Sequence, residues 1–260
     1  MRQNELAIGM YDSGVGGISV LCETIKRLPH EHYIYYGDSA NAPYGTKSEE
    51  EIKELSLKCG EFLFHKGVKM IVIACNTATS IVVQTMRERY NIPIISIEPA
   101  VKPAMENRRQ GKILVLATPA TLKQKRYHTL LDTLQAQDIV INVECAGLAE
   151  LIEKGNVNAP HIKAYLHDKL AAYRGQEIDG IVIGCTHYSF VADKIKDIAL
   201  KWFPKPCGIY DGRFGTAKHI EHVLASNHLL HPPNGEVPIE FFTSGSSDQT
   251  SIYRHFLEML

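Results

Sequence analysis

Two cysteines, Cys75 and Cys185, stand in matching local settings. Met-Ile-Val-Ile-Ala-Cys-Asn-Thr-Ala-Thr begins at Met70, and Gly-Ile-Val-Ile-Gly-Cys-Thr-His-Tyr-Ser begins at Gly180. Each reads as an apolar strand, a small residue, a cysteine, then hydroxyl-bearing residues entering a helix. A thiol at such a strand-to-helix junction meets backbone N–H groups and the positive end of the helix dipole, both of which stabilise a thiolate. Unaided, a cysteine with a pKa of about 8.5 is scarcely ionised at neutral pH. Taken singly, either residue reads as a buried structural cysteine; the matched pair points instead to two reactive thiols.

The flanking residues extend that chemistry. Asn76, Thr77 and Thr79 follow the first cysteine, and Thr186, His187 and Tyr188 follow the second. Amide, hydroxyl and imidazole groups at a helix start can hold a carboxylate, and His187 can exchange a proton with a neighbouring thiol. The other cysteines, at 22, 59, 145 and 207, form no Cys-x-x-Cys pair or zinc-ligand spacing. They read as free thiols that pack as small hydrophobes.

Tyr11-Asp12-Ser13-Gly14-Val15-Gly16-Gly17 has the look of a phosphate-binding turn and fails the stricter test. Ser19 stands where a dinucleotide motif needs its third glycine, and no Lys-Ser/Thr pair follows. The glycines are expected to let the backbone approach a small ligand closely, leaving Asp12 and Ser13 at the strand's carboxyl end. Helix capping is the plainer reading of Asp12. The turn-rich stretch Gly37 to Thr46 is expected to bring backbone N–H groups and the Tyr44 hydroxyl to the same edge.

These residues need elements to hold them. Strands are expected at Leu6–Tyr11, His32–Gly37, Met70–Ala74, Ile94–Ile97, Lys112–Ala117, Ile139–Val143, Gly180–Ile183, Cys207–Tyr210 and Ile239–Thr243. Several are apolar throughout, as central parallel strands should be. Helical stretches such as Ser48–Lys66, Ala78–Arg89, Pro119–Gln135, His161–Tyr173 and Arg213–Ser226 lie between them. The class is α/β. Proline-bearing linkers at Glu98–Pro103 and Trp202–Pro206 divide the chain into residues 1–98, a middle unit 99–206, and a tail 207–260 that returns to complete the first unit. Two α/β domains facing each other would place their strand ends around one cleft, where open sheets bind ligands. The Cys-centred match suggests pseudo-symmetric halves, but the strand-then-small-residue pattern common to α/β proteins leaves duplication of a whole unit open.

The 260 residues are 45% apolar, enough to bury a substantial core. The formal net charge of -1 supplies no field for nucleic acid or an anionic membrane. No apolar run is long enough to span a bilayer, and the polar start at Met1 to Glu5 lacks the plan of a secretion signal, so a cytoplasmic location is expected.

Five stretches, in order along nearly the whole chain, resemble the glutamate racemase family: Asp12 to Gly17, Pro43 to Lys47, Ala74 to Ala78, Ala117 to Thr121 and Gly184 to Tyr188. The aspartate racemases are similar but usually carry Glu where His187 stands. The resemblance implies that Cys75 and Cys185 are acid/base thiols acting on D- and L-glutamate respectively, with Asp12 assisting Cys75 and His187 assisting Cys185. It assigns substrate binding to Asp12, Ser13, Tyr44, Gly45, Asn76, Thr77, Thr118, Thr121, Thr186 and His187. An assisting glutamate falls by spacing on Glu153, although Cys145 to Glu153 lacks the family's prolines. Ser189 stands where Pro is common, and the final Ser-Gly-Ser replaces Ser-Gly-Asp. The implied activity is cofactor-independent and metal-free racemisation of glutamate supplying peptidoglycan synthesis, with a homodimer as the candidate assembly. Two readings of other chemistry stand beside it. One is a Cys185–His187 hydrolase, disfavoured on the expectation that neighbours at a strand end point apart. The other is a non-catalytic amino-acid binding module with a hinge between its domains.

Overall fold

The computed structural model describes residues 2–233 and 238–260. Within them lie β1 (Ile8–Asp12), β2 (Tyr33–Gly37), β3 (Met70–Ile73), β4 (Ile94–Ser96), β5 (Lys112–Ala117), β6 (Val140–Glu144), β7 (Ile178–Ile183), β8 (Gly208–Asp211) and β9 (Ile239–Thr243). The helices are α1 (Ile18–Arg27), α2 (Glu49–His65), α3 (Asn76–Arg89), α4 (Val101–Glu106), α5 (Pro119–Lys123), α6 (Lys125–Thr133), α7 (Leu148–Glu153), α8 (Pro160–Ala171), α9 (Ala192–Trp202), α10 (Gly212–Ser226) and α11 (Gln249–Glu258). Every strand expected from the sequence is present, with ends moved by two residues or fewer.

The strands form two sheets, ordered β4-β3-β1-β2-β9 and β6-β5-β7-β8, with parallel pairing throughout. Read from the other edge, the second is β8-β7-β5-β6. Strand for strand this repeats β4-β3-β1-β2, with β9 added at the open edge of the first sheet. The pair of cysteine motifs therefore belongs to a repeated unit, with β3 and β7 as equivalent strands.

Both faces of the central strands are covered, which is why they read as continuous apolar runs. In β3, Met70 and Val72 face one cluster while Ile71 and Ile73 face another. The first of these clusters runs on into the second unit, taking in Leu114, Leu116, Ile181 and Ile183. One apolar body thus joins the two halves. Local signals agree with it: α2 opens with a capping box in which Ser48 accepts from Glu51 N and the Glu51 carboxylate accepts from Ser48 N.

Three expectations are corrected. The boundary at residue 207 falls too early, because β8 is the edge strand of the second sheet and the chain returns to the first unit only after Asp211. There α10 and α11 pack on α1, and β9 pairs with β2. The proline-bearing stretch 202–206 is merely the α9–β8 connection, whereas Glu98–Pro103 does lie at a crossing between sheets and contains the start of α4. The helix expected over Pro119–Gln135 is broken at Gln124, whose backbone is extended (φ -72°, ψ 136°). Its buried side chain leaves the helical path to donate from Nε2 to Thr77 O at 2.8 Å, a tertiary bond that local propensity cannot encode. Finally, Cys185 opens not an α-helix but a 3-10 segment, Thr186–Val191, that leads into α9.

Candidate active site

Cys75 is the N-cap of α3 and Cys185 stands at the matching point after β7. Both are buried, at 5% and 8% exposure. Each sulfur is backed by a hydrogen-bonded pair ending in a carboxylate. Cys75 Sγ lies 3.8 Å from Ser13 Oγ, and Ser13 in turn donates to Asp12 Oδ1 at 3.2 Å. Cys185 Sγ lies 3.9 Å from His187 Nδ1, whose Nε2 is 2.7 Å from Glu153 Oε2. Cys185 and His187 therefore meet rather than point apart, because the chain winds into the 3-10 segment at once and does not continue as a strand.

Each carboxylate is held from the opposite half. Asp12, at the end of β1, accepts from Thr186 Oγ1 at 3.0 Å and from Gly14 N at 3.1 Å. Glu153, at the end of α7, accepts from Val15 N at 2.9 Å and Ser39 Oγ at 3.1 Å, both in the first unit. Gly14 and Gly16 make this approach feasible. A Cβ on Gly14 would strike the Glu153 carboxylate, and one on Gly16 would strike His187 and Thr186. The close approach that these glycines allow in the structure is that of the other half of the protein.

Burial sets the electrostatics. It pushes the Cys75 thiol well above the usual cysteine range, with the Asp12 carboxylate adding to the effect and the Ala78 N–H and Ser13 hydroxyl opposing it. Asp12 is likewise raised by burial, against the opposing pull of His187, Gly14 N–H and Thr186. For His187, burial disfavours the imidazolium, but Cys185 and Glu153 outweigh it and hold the ring's pKa well above its ordinary value. Burial also works against the Glu153 carboxylate and is overcome by His187, Val15 N–H and Ser39, so its pKa is lowered.

The other expected residues divide. Thr77, Thr118 and Thr121 form a buried triangle across the two halves, with oxygens 3.0 to 3.2 Å apart. Asn76 is buried, and its Oδ1 has no hydrogen-bond partner among the described residues. Tyr44 does not present a free hydroxyl to the thiols: it donates to Asp38 Oδ2 at 2.5 Å, with Cys59 Sγ beyond at 3.9 Å. Its neighbour Gly45 lies against Thr118, where a Cβ would come within 2.9 Å. Sequence reasoning did not single out Ser39, although it lies in the polar stretch Gly37 to Thr46. It also missed the Val15 N–H, which no side-chain pattern could announce.

Among the described residues no group of three or more His, Cys, Asp or Glu side chains is placed to hold a metal ion, and no helix is long and apolar enough to cross a membrane. A cavity of about 550 Å³ opens where the chain crosses between the sheets, lined by Glu98, Arg126, Asp211 and His219 among others. It contains neither of the paired thiols.

The fold and site define a two-unit α/β protein whose ionisable side chains converge at the seam between its halves. The chain belongs to the Asp/Glu/Hydantoin racemase family, matching it over residues 18–207. A glutamate racemase from Clostridium botulinum is 46% identical over 244 residues, covering 94% of this chain and 93% of that protein. The crystal structure of a glutamate racemase isoform from Bacillus anthracis superposes with a TM-score of 0.85 at 30% identity, covering 98% of this chain and 93% of that one. The Francisella tularensis glutamate racemase, solved with D-glutamate, gives 0.83 at 27% identity, covering 98% and 94%.

Proposed function

We propose that this protein interconverts L- and D-glutamate without a cofactor, by proton exchange between the substrate α-carbon and two thiols. The observation that carries the reading is the pairing itself: Cys75 and Cys185 end equivalent strands of a repeated unit, and each is backed by its own proton route to a buried carboxylate. Inversion at carbon needs a base on one face and an acid on the other, since a single base tends to return the proton to the face it left. In the L-to-D direction Cys185 removes the proton and Cys75 donates, and the roles reverse for D-glutamate. Ser13 and Asp12 reset Cys75; His187 and Glu153 reset Cys185.

The weakly acidic α-C–H is eased by preorganised donors in a water-poor site rather than by an electron sink. Thr77, Thr118, Thr121 and Thr186, with the backbone at Ser13 and Gly45, hold the carboxylates, while the Asn76 oxygen, without a partner among the described residues, is an acceptor for the α-ammonium group. Tyr44 contributes by fixing Asp38 and the backbone beside Gly45. Because donors from both halves interlock, substrate entry requires the units to part and close again. In the cell the product D-glutamate feeds peptidoglycan synthesis in the cytoplasm, and the enzyme works alone or as a homodimer without nucleic acid or membrane.

The deciding experiment follows hydrogen. L-Glutamate turned over in deuterated water should yield D-glutamate carrying deuterium at Cα from the first turnovers, in wild-type protein but not in Cys75→Ala. Product that keeps its original hydrogen would falsify the exchange mechanism. The run from Cys185 through His187 to Glu153 also suits a thiol hydrolase. That reading gives Cys75 no task, so undiminished activity of Cys75→Ala toward an ester or amide would favour it.

A further inference from the structure

Glu153 is bonded on one side to His187 and on the other to a chain of hydroxyls that the proposed chemistry does not use. Ser39 Oγ lies 3.1 Å from Glu153 Oε1 and 2.7 Å from Tyr253 Oη. Tyr253 is a fully buried residue of α11, its ring edge-on to Tyr35 with centroids 5.4 Å apart. Its oxygen also lies 3.1 Å from Thr243 Oγ1 and 3.2 Å from Gly37 O. Gly37 is the residue that makes room, since a Cβ there would collide with the Tyr253 hydroxyl.

Counting protons orients this chain. A carboxylate only accepts, so the single Ser39 proton goes to Glu153 and the Ser39 oxygen must accept from Tyr253. Thr243 Oγ1, which accepts from Gly245 N at 2.9 Å, and Gly37 O are the longer, competing acceptors for that same Tyr253 proton. Tyr253 and Ser39 then donate in turn toward Glu153, and aligned donors polarise one another. We propose that Tyr253, acting through Ser39, is a positioning residue for the Glu153–His187–Cys185 side of the site, which couples the C-terminal helix to that half of the reaction. This rests on the assignment of Glu153 and His187 made above. Tyr253 itself touches neither sulfur; it fixes which way the Glu153 carboxylate faces and supports its negative charge, and so the imidazolium beside Cys185. The charged and titratable groups facing Glu153 and His187 are Cys185, Asp12, Tyr35 and Tyr253.

Tyr253→Phe removes the hydroxyl and keeps the ring. It should fold normally and lose about ten-fold in kcat, equivalent to about 1.4 kcal/mol of barrier, with KM little changed. The alkaline limb of its pH profile should move to lower pH, because a less supported Glu153 holds the His187 proton less firmly. Ser39→Ala should do the same, and the double variant should be no worse than the poorer single one. In a Glu153→Ala background, Tyr253→Phe should have no further effect. Wild-type kcat and pH limb in Tyr253→Phe would overturn the relay, as would a full ten-fold loss persisting without Glu153. If Glu153→Ala alone leaves racemisation intact, the failure lies instead in the assignment of Glu153, and that single variant reveals it.

Discussion

Gly14 and Gly16 face side chains of the opposite half at distances no Cβ would tolerate, yet neither adopts a left-handed backbone. Their requirement is space, not conformation. Gly16→Ala should therefore leave the first unit folded while driving Thr186 and His187 outward. A displacement of about 1 Å at a reacting group can cost about a hundred-fold in rate. A loss of at least ten-fold in kcat/KM, with circular dichroism unchanged, is the expected result. Gly215, inside α10, supplies the contrast, for a Cβ there meets nothing within 4 Å. Gly215→Ala should stabilise the protein by about 0.4–1 kcal/mol in denaturant titration and leave turnover alone. The sequence disclosed which residue types sit at the site, because thiols, carboxylates and imidazole are few and their motifs are local. It could not disclose that Gly16 abuts His187 or that Ser39 reaches Glu153, since those contacts join distant segments with no shared pattern.

Between elements, Asp179 shows how one side chain can set a connection. At the start of β7 it accepts from the backbone N–H groups of Arg109, Gln110 and Gly111 at 2.7 to 2.9 Å, fixing the turn that leads from α4 into β5. Burial works against this carboxylate, but the three N–H donors and Arg109 overcome it and its pKa is lowered. A group depressed in the folded state contributes stability above its unfolded pKa of about 3.9 and loses it as the pH falls through the folded value. Asp179→Asn should thus destabilise at pH 7 by about 1–3 kcal/mol, with the gap from wild type narrowing below about pH 4 in urea titrations. The strands were legible from their uninterrupted apolar runs, and α2 from its cap. The break at Gln124 and the 3-10 segment after Cys185 were not, because each follows from a partner in another part of the fold: Thr77 O for the first, and the packing of His187 against Glu153 for the second.

Across the whole molecule, donors from both halves converge at one seam, so a bound substrate should tie the halves together. At about one hundred times its dissociation constant glutamate should add about 2.7 kcal/mol of stability. Cys75→Ala should retain that stabilisation in thermal melts while losing turnover; absence of any shift in both proteins would place the substrate elsewhere. The repeated strand order explains why the domain boundary was misplaced: Pro204 and Pro206 punctuate the sequence just before β8, but the repeat ends only after it. The route of the tail bears on how the protein is made. The second sheet uses one unbroken stretch, whereas the first takes its edge strand β9 from near the end of the chain, with α11 packed behind it. During synthesis the stretch from β5 to β8 can therefore finish folding while the sheet begun before it still lacks a strand, and that sheet is closed only once β9 has emerged.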